Sequence, residues 1–524
     1  MLKLSEMTPE QKLGRVLCFR KFEEDDVEFT LEMIKKEACG AIQVQFNDKT
    51  KERIKMFREA ADYPLLIIND METKFPLSTL PAVPLMSLAA CDNPEYTRAF
   101  AAAIAKEARE YGYSGNWGPC VDLQHDDSPC SVGRLISDSP QITLDMTREI
   151  FKVYDSYNFH STAKHYPGGH GLPLDTHMVE GFCVEDEAAL LECDLIPYLE
   201  LMKEGILPAI MSRHSVFPKI DDKPASLSKK VIDIIRRRGF DGVFFTDSLA
   251  MMGILQKYGE REALAMALMA GNDIILPNYR TPSRDVYEMM LESYRKGEIT
   301  DERLDDAVRR VMALEQYCAK EPSNPYPVPE NIEEVLNAVA RDCITADCDK
   351  GIEPYIDSEK KRLFIVINPQ GTGRESAQEI SFGSWYSPKL VCESIEKHFP
   401  GSEIAMLDEF PIWQDNERVL NAATKYDEVV FVTYCTTACY QGTDSLTRRV
   451  EAVINALALS DKLCALVHFG NPMAVDRIDY LDRIPRIIFG YKAKPSQEYA
   501  FEVLAGKLPA RGRFPFPSLR KLKR

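Results

Sequence analysis

The run Lys164-His165-Tyr166-Pro167-Gly168-Gly169-His170-Gly171, followed by Asp175-Thr176-His177, is the densest concentration of reactive side chains in the sequence. Three of the eight histidines fall there within thirteen residues. Glycine and proline mark a sharply turned loop, where side chains are placed more by function than by packing. Asp175 and His177 stand two apart, so on an extended loop both project from the same side. A carboxylate so placed accepts a hydrogen bond from one ring nitrogen, fixes the tautomer and raises the basicity of the other nitrogen. The result is an imidazole that gives and takes a proton near neutral pH. His165, His170 and His177 with Asp175 form an alternative metal set, but spacings of five and seven match no standard zinc signature. Taken alone, an Asp-x-His pair would be two ordinary loop residues.

The second reactive feature is Gly239-Phe240-Asp241-Gly242-Val243-Phe244-Phe245-Thr246-Asp247-Ser248-Leu249, an apolar strand that delivers Asp247 at its tip. The competing reading makes Asp247 the cap of a helix beginning near Leu249. What must position these groups is an alternation of β-type runs and amphipathic helices over the first three hundred residues. The strand candidates are 16–19, 40–46, 64–69, 116–122, 161–166, 208–214, 242–247 and 273–277. Helical patterns separate them, as in 94–112, where Phe100, Ile104 and Ala108 recur on one face. Such alternation suits an α/β fold of the (β/α)8 barrel type, with a doubly wound open sheet as the alternative. The polar residues favour the barrel, because its reactive groups sit at the C-terminal ends of strands. Strand candidates here end in Asp70, Asp122, Lys164-His165, Arg213-His214 and Asp247, which a purely structural barrel would not need.

Around 319–330 the text becomes AKEPSNPYPVPE, with four prolines, and reads as a linker. The expected division is therefore a barrel over 1–318, the linker 319–330, and a smaller α/β domain over 331–524. Strands at 362–368, 428–434, 464–470 and 486–491, with helices such as 447–460, predict a parallel sheet covered on its faces. Gly-Thr-Gly-Arg-Glu-Ser (371–376) lacks the lysine of a phosphate loop and reads as a surface turn. Three roles are open to this second domain: covering the barrel mouth, mediating a homodimer, or stabilising the fold.

A formal charge of -17 over 524 residues argues against a nucleic-acid partner, which would call for a basic face. The N-terminus has no basic region followed by an apolar one, and no later run approaches 18 apolar residues, so neither secretion nor membrane spanning is expected. The 14 cysteines are scattered without a Cys-x-x-Cys, and Cys343/Cys348 and Cys435/Cys439 have no histidine at zinc-site spacing. Buried thiols in a reducing cytoplasm are the expectation.

Taken together, K-H-Y-P-G-G-H-G-x-x-x-D-T-H, M-S-R-H, P-A-S-L-S and G-F-D-G-V-F-F-T-D-S-L-A-M resemble glycoside hydrolase family 3. The similarity is to its β-N-acetylglucosaminidase branch, which uses an Asp-His dyad in a barrel loop, whereas other branches take a Glu from the second domain. It extends to G-N-W-G-P-C-V-D, G-R-L-I-S-D-S-P and the closing segment 490–515, similar to the end of the family's C-terminal α/β sandwich. The resemblance implies that Asp247 is the nucleophile of a retaining reaction and His177 the acid/base, oriented by Asp175. It further implies that Lys164, His165, Asp70 and Arg134 bind sugar hydroxyls, that Met251 lines the sugar pocket, and that His214 sits nearby. No metal and no cofactor is implied. The implied partner is a small carbohydrate: an amino-sugar glycoside, a cytosolic cell-wall fragment or a chito-oligosaccharide. A neutral imidazole also spares Asp247 a second carboxylate, whose like charge would raise one pKa.

Three departures from the family pattern bear on the substrate. The loop carries an inserted glycine and a spacer one residue shorter, which keeps the Lys164-to-His177 span but displaces His170. After Asp70 the usual D-x-E-G-G-R becomes Asp70-Met71-Glu72-Thr73-Lys74, losing two glycines and an arginine. Before G-R-L stands the acidic run Gln124-His125-Asp126-Asp127. The leading expectation is release of terminal β-linked N-acetylglucosamine. Phosphorolysis of the same bond is an alternative, as is a non-catalytic carbohydrate-binding protein. A β-glucosidase or β-xylosidase would leave the D-T-H loop unexplained.

Overall fold

The computed structural model describes residues 2–20, 24–125, 134–169, 176–369, 385–435 and 446–517. The chain divides into two compact units: Met1–Thr79, Thr97–Ser128 and Pro140–Glu330 form one, and Leu80–Tyr96, Pro129–Ser139 and Asn331–Arg524 the other.

In the first unit, strands β1 (Cys18–Phe19), β2 (Ala41–Gln43), β3 (Leu66–Asn69) and β4 (Gly115–Asn116) pair in parallel in chain order. Strands β5 (Thr162–Tyr166), β6 (Ala209–Ser212) and β7 (Val243–Thr246) form a second parallel set. Parallel bridges join the sets, Gly115 to His160 on one side, and Phe245 to Ile274 and Ile275 to Leu17 on the other. The strands and the 274–275 segment thus close a ring, and helices follow each of them. The expected α/β architecture is what the chain adopts.

Strand alternation explains the core of this ring. Val243 and Phe245 point to an inner cluster with Cys18, Ala41, Leu66, Ile68, Trp117, Ala209 and Met211. Their neighbours Phe244 and Ile210 point outward to the helices, beside Ile232, Ile235 and Tyr198. Both faces are therefore apolar, which is why these strands read as continuous hydrophobic runs rather than alternating ones. Burying each such side chain contributes about 1.5–3 kcal/mol. The same parity carries past the strand ends: Arg20, Asp70, Arg213 and Asp247 each stand two residues beyond an inward-facing position.

The second unit is a six-stranded sheet in the order β10-β9-β11-β12-β13-β8. Its strands are β8 (Thr345–Cys348), β9 (Leu363–Asn368), β10 (Glu403–Asp408), β11 (Val429–Cys435), β12 (Leu463–Gly470) and β13 (Arg486–Tyr491). All pairs are parallel except β13 with β8. β8 and β10 are additions to the four expected strands. Both are edge strands with partly exposed residues, so neither shows a long apolar run. Helix Leu85–Cys91 also belongs here, because Met86 and Ala90 enter this sheet's core and Ala90 O accepts from Arg513 N at 2.7 Å. The second unit is thus drawn from three stretches of sequence, not one. The proline-rich run 319–330 has no helix or strand and groups with the first unit. It is tied down there: Tyr157 donates its hydroxyl to Tyr326 O at 2.6 Å, and Tyr326 N donates to Ser156 Oγ at 3.0 Å.

Candidate active site

The C-terminal ends of the ring's strands bring the reactive groups together. At the tip of β7, Asp247 N donates to Ser212 O at 2.9 Å, and Asp247 Oδ1 accepts from Ser248 N at 2.6 Å. The other carboxylate oxygen, Oδ2, faces His165 Nε2 at 3.8 Å. The opposite ring nitrogen of His165, Nδ1, lies 2.7 Å from Asp122 Oδ2, while His165 N donates to Asp122 Oδ1 at 2.9 Å. Asp122 thus grips both the backbone and the ring of His165, orienting Nε2 toward Asp247. Lys164, whose side chain is 1% exposed, places Nζ 2.7 Å from Asp70 Oδ1 and 2.6 Å from Glu72 Oε1. Asp70 itself is 45% exposed and offers its carboxylate to the mouth. Where glycines are missing after Asp70, the backbone of Met71 is held instead by Asn116, which donates to Met71 O at 2.9 Å and accepts from Met71 N at 2.8 Å.

His177 lies in a turn, half-buried, and is close enough to act electrostatically on both Asp247 and His214. Asp175 and His170 lie outside the described residues. Arg134 is half-buried in a turn of the stretch grouped with the second unit. Met251 is buried just before the short helix Met252–Leu255, its N–H on Ser248 O at 3.1 Å. His214 is buried beneath the Asp247–Ser248 turn: Nε2 donates to Ser248 O at 3.0 Å, and Ser226 Oγ donates to Nδ1 at 2.7 Å. With both nitrogens engaged, its part is to hold the Asp247–Ser248 turn.

The sequence pattern left out two groups, Arg20 and Gln43, at the tips of β1 and β2. Arg20 Nη1 donates to Ser248 Oγ at 2.7 Å and to Pro277 O at 3.1 Å, and its Nε donates to Gln43 Oε1 at 2.6 Å. Its guanidinium feels both Asp70 and Asp247. The signal was present: Arg20 follows a strand by the same two-residue step as Asp247. Arg213, at the tip of β6, turns to the loop base, donating to Gly168 O at 2.7 Å. That base contains the inserted glycine. Gly168 and Gly169 have φ of 79° and 97°, a left-handed pair that explains why both are glycine.

Electrostatics set Asp247 as an anion. Burial pushes its carboxyl up, but His165, His214, His177 and the Ser248 N–H outweigh that and hold it well below the usual carboxylate range. Burial acts likewise on Asp122, and the charge and hydrogen bonds of His165 bring it down to about 2. Burial lowers His214, against the pull of Asp247, which favours its neutral form.

Among the described residues, two groups have the donor types of a metal site: Cys120, Asp122 and His165, and, in the second unit, His398, Glu498 and Glu502. In the first, Cys120 Sγ and His165 Nδ1 already hydrogen-bond Asp122. In the second, Lys397 pairs with Glu498 and Lys507 approaches His398 Nδ1 at 3.2 Å, supplying positive charge where a cation would sit.

An ionised carboxylate and imidazoles at the mouth of a parallel barrel agree with what comparison shows. Residues 10–314 match the N-terminal domain of glycosyl hydrolase family 3. The chain belongs to glycosyl hydrolase family 3. It is accordingly an enzyme of the glycoside hydrolase class. A β-hexosaminidase of Xanthomonas oryzae pv. oryzae is 33% identical over 233 residues, which are 42% of this chain and 69% of that protein. A family 3 β-N-acetylglucosaminidase from Paenibacillus sp. str. FPU-7 superposes with a TM-score of 0.77 at 22% identity, covering 98% of this chain and 99% of that one. The β-glucoside phosphorylase BglX superposes with a TM-score of 0.79 at 19% identity, covering 99% and 96%. These two likenesses concern the fold.

Proposed function

We propose that this family 3 enzyme is a retaining exo-β-N-acetylglucosaminidase that works through a covalent glycosyl-enzyme on Asp247, with His177 as acid/base. The observation that carries the reading is the pairing of an ionised Asp247 with a histidine-bearing loop rather than a second carboxylate. Asp247 Oδ1 is taken by the Ser248 N–H, so Oδ2 is the oxygen that attacks the anomeric carbon. As the glycosidic bond breaks, His177 gives its proton to the leaving oxygen, and Asp175 is the residue proposed to orient it. His177 then takes a proton from water, which displaces Asp247 with a second inversion. His165, held by Asp122, and the Lys164–Asp70 pair are suited to the sugar hydroxyls, and Arg134 and Met251 are proposed to complete the sugar site. The favoured glycon follows the β-hexosaminidase relatives, and a cytoplasmic cell-wall fragment or chito-oligosaccharide is the substrate we favour. No cofactor or metal has a part in these steps.

The test is hydrolysis of a chromogenic β-N-acetylglucosaminide by wild type and Asp247→Ala, with the 5-fluoro glycoside, which keeps the acetamido group at C2, used to trap an adduct. Loss of activity in the variant and a trapped sugar on the Asp247 peptide are expected; equal activity in both would sink the proposal. A second reading is phosphorolysis. Arg20 and the imidazoles around Asp247 leave the mouth hospitable to an anionic acceptor. A rate that depends on phosphate, with sugar 1-phosphate as product, would favour it over hydrolysis.

A further inference from the structure

The turn that carries His177 is held by the segment that follows the nucleophile. The short helix Met252–Leu255 begins five residues after Asp247, and its first two N–H groups have no partner within the helix. Met252 N donates to His177 O and Gly253 N to Thr176 O, both at 3.2 Å. Two side chains extend the contact: Gln256 Nε2 donates to Met178 O at 3.0 Å, and Lys257 pairs with Glu180 at 3.3 Å. The approach is close at one position. A Cβ on Gly253 would stand 3.0 Å from Val179 O and 3.1 Å from Thr176 O, so the neighbouring backbone would have to give way.

We propose that Gly253 is a positioning residue for the acid/base. Its missing side chain lets the Thr176–Val179 turn sit directly on the helix start, so that one short segment fixes both partners of the reaction. Ser248 at its beginning holds Asp247, and Met252–Gly253 at its end holds His177. The span between nucleophile and imidazole is thereby set by one short segment rather than across the barrel, and a methyl group at 253 changes it. This rests on the reading of His177 as acid/base.

Two leaving groups separate positioning from structure. Departure of 2,4-dinitrophenolate needs no proton, whereas departure of an alkyl alcohol does. Azide likewise needs no general base: its terminal nitrogen bonds to the anomeric carbon as the bond to Asp247 breaks, the carboxylate leaves, and no proton moves. Wild type, His177→Ala, Gly253→Ala and Gln256→Ala are compared on dinitrophenyl and methyl β-N-acetylglucosaminides, or on the matching β-glucosides if wild type prefers them, with and without azide. Alanine is a better helix former than glycine, so Gly253→Ala is expected to keep the wild-type melting temperature. A displacement of the acid/base by a few tenths of an ångström predicts roughly a 10-fold loss of kcat/KM on the methyl glycoside, short of the roughly 10²-fold that a full ångström costs. With azide, the dinitrophenyl glycoside is expected to turn over near the wild-type rate and to yield the glycosyl azide. Gln256→Ala, which removes one donor and adds no atom, is expected to show the same leaving-group bias at smaller amplitude.

Equal losses on both substrates with azide present, or no loss on either, in Gly253→Ala would overturn the proposal. If that variant melts early, the absence of leaving-group bias in Gln256→Ala does so instead. Should His177→Ala keep full activity on the methyl glycoside, the acid/base reading itself fails, and the inference with it. A biased His177→Ala beside an unbiased Gly253→Ala removes the inference alone.

Discussion

The two ends of the barrel both bury charge, and they do so to opposite effect. At the mouth, Asp247 and Asp122 are driven below the usual carboxylate range although burial opposes it. At the N-terminal end, Glu315 meets the buried Arg15, with the Tyr63 ring 4.4 Å from its guanidinium. Burial pushes Glu315 up to about 8, with the positive charge of Arg15 opposing and Glu37 adding to the rise. Arg58 there spends its donors on Gly112 O and Ser114 Oγ, each at 2.8 Å, beside a cavity of about 280 Å³ lined also by Arg109 and Cys318. The difference lies in the number of partners. Desolvation penalises every buried anion, and only a surplus of donors and positive charge reverses it. Asp247 has three imidazoles and a backbone N–H; Glu315 has one hydrogen-bonded arginine. The first arrangement keeps the Asp247 carboxylate ionised, and the second joins helix Pro9–Arg15 to helix Asp301–Cys318.

Variants can break this comparison. The largest effect is expected from Asp247→Asn, which should cost roughly 10⁴-fold in kcat on an aryl glycoside, or about 5.5 kcal/mol of barrier. Its melting temperature should hold or rise, since active-site charges are commonly kept at the expense of stability. A large fall in stability would make Asp247 a structural group like Glu315. Next comes Glu315→Ala, which strands Arg15 in the interior and should lower stability by about 3–5 kcal/mol in a denaturant titration. The kcat of the folded fraction should stay at the wild-type value; a changed kcat would couple the two ends. For the wild type, the raised Glu315 pKa means that the folded state retains a proton the unfolded chain releases. Stability should therefore fall as pH rises from about 4.5 to about 8, and Glu315→Gln should flatten that slope.

Arg20→Met tests the group that joins the Ser248 hydroxyl to the mouth. A loss of about 10- to 100-fold in kcat/KM is expected, the size of one charge-assisted hydrogen bond, with no change in melting temperature. An unchanged kcat/KM would exclude Arg20 from the working site. The smallest effect concerns Asp122. Its depressed pKa contributes up to about 2 kcal/mol of stability that is complete above about pH 4 and disappears as pH falls through about 2. Asp122→Asn should remove that acid dependence in thermal melts recorded from pH 2 to 5.

The sequence alone determined which chemistry stands at the strand ends, because parity is local. An inward Phe245 commits Asp247 to the same side two residues on, and Ile68 does the same for Asp70. That rule also holds for Cys18 and Arg20, where the pattern is faint because β1 spans only two residues and its apolar run is short. The paired strands of the second sheet were legible from their apolar runs, while β8 and β10 were not, being edges whose side chains are half wet. Tertiary structure decided which atoms meet. Nothing local brings Asp122 to His165 across 43 residues, His214 beneath Ser248 across 34, or Thr176 onto Gly253. Those contacts follow from the register in which neighbouring strands pair around the ring, a long-range property that no window of sequence encodes. The same holds for helix Leu85–Cys91: it lies within the barrel's stretch of sequence, yet its apolar face is complementary to the second sheet, and burial rather than chain order assigned it.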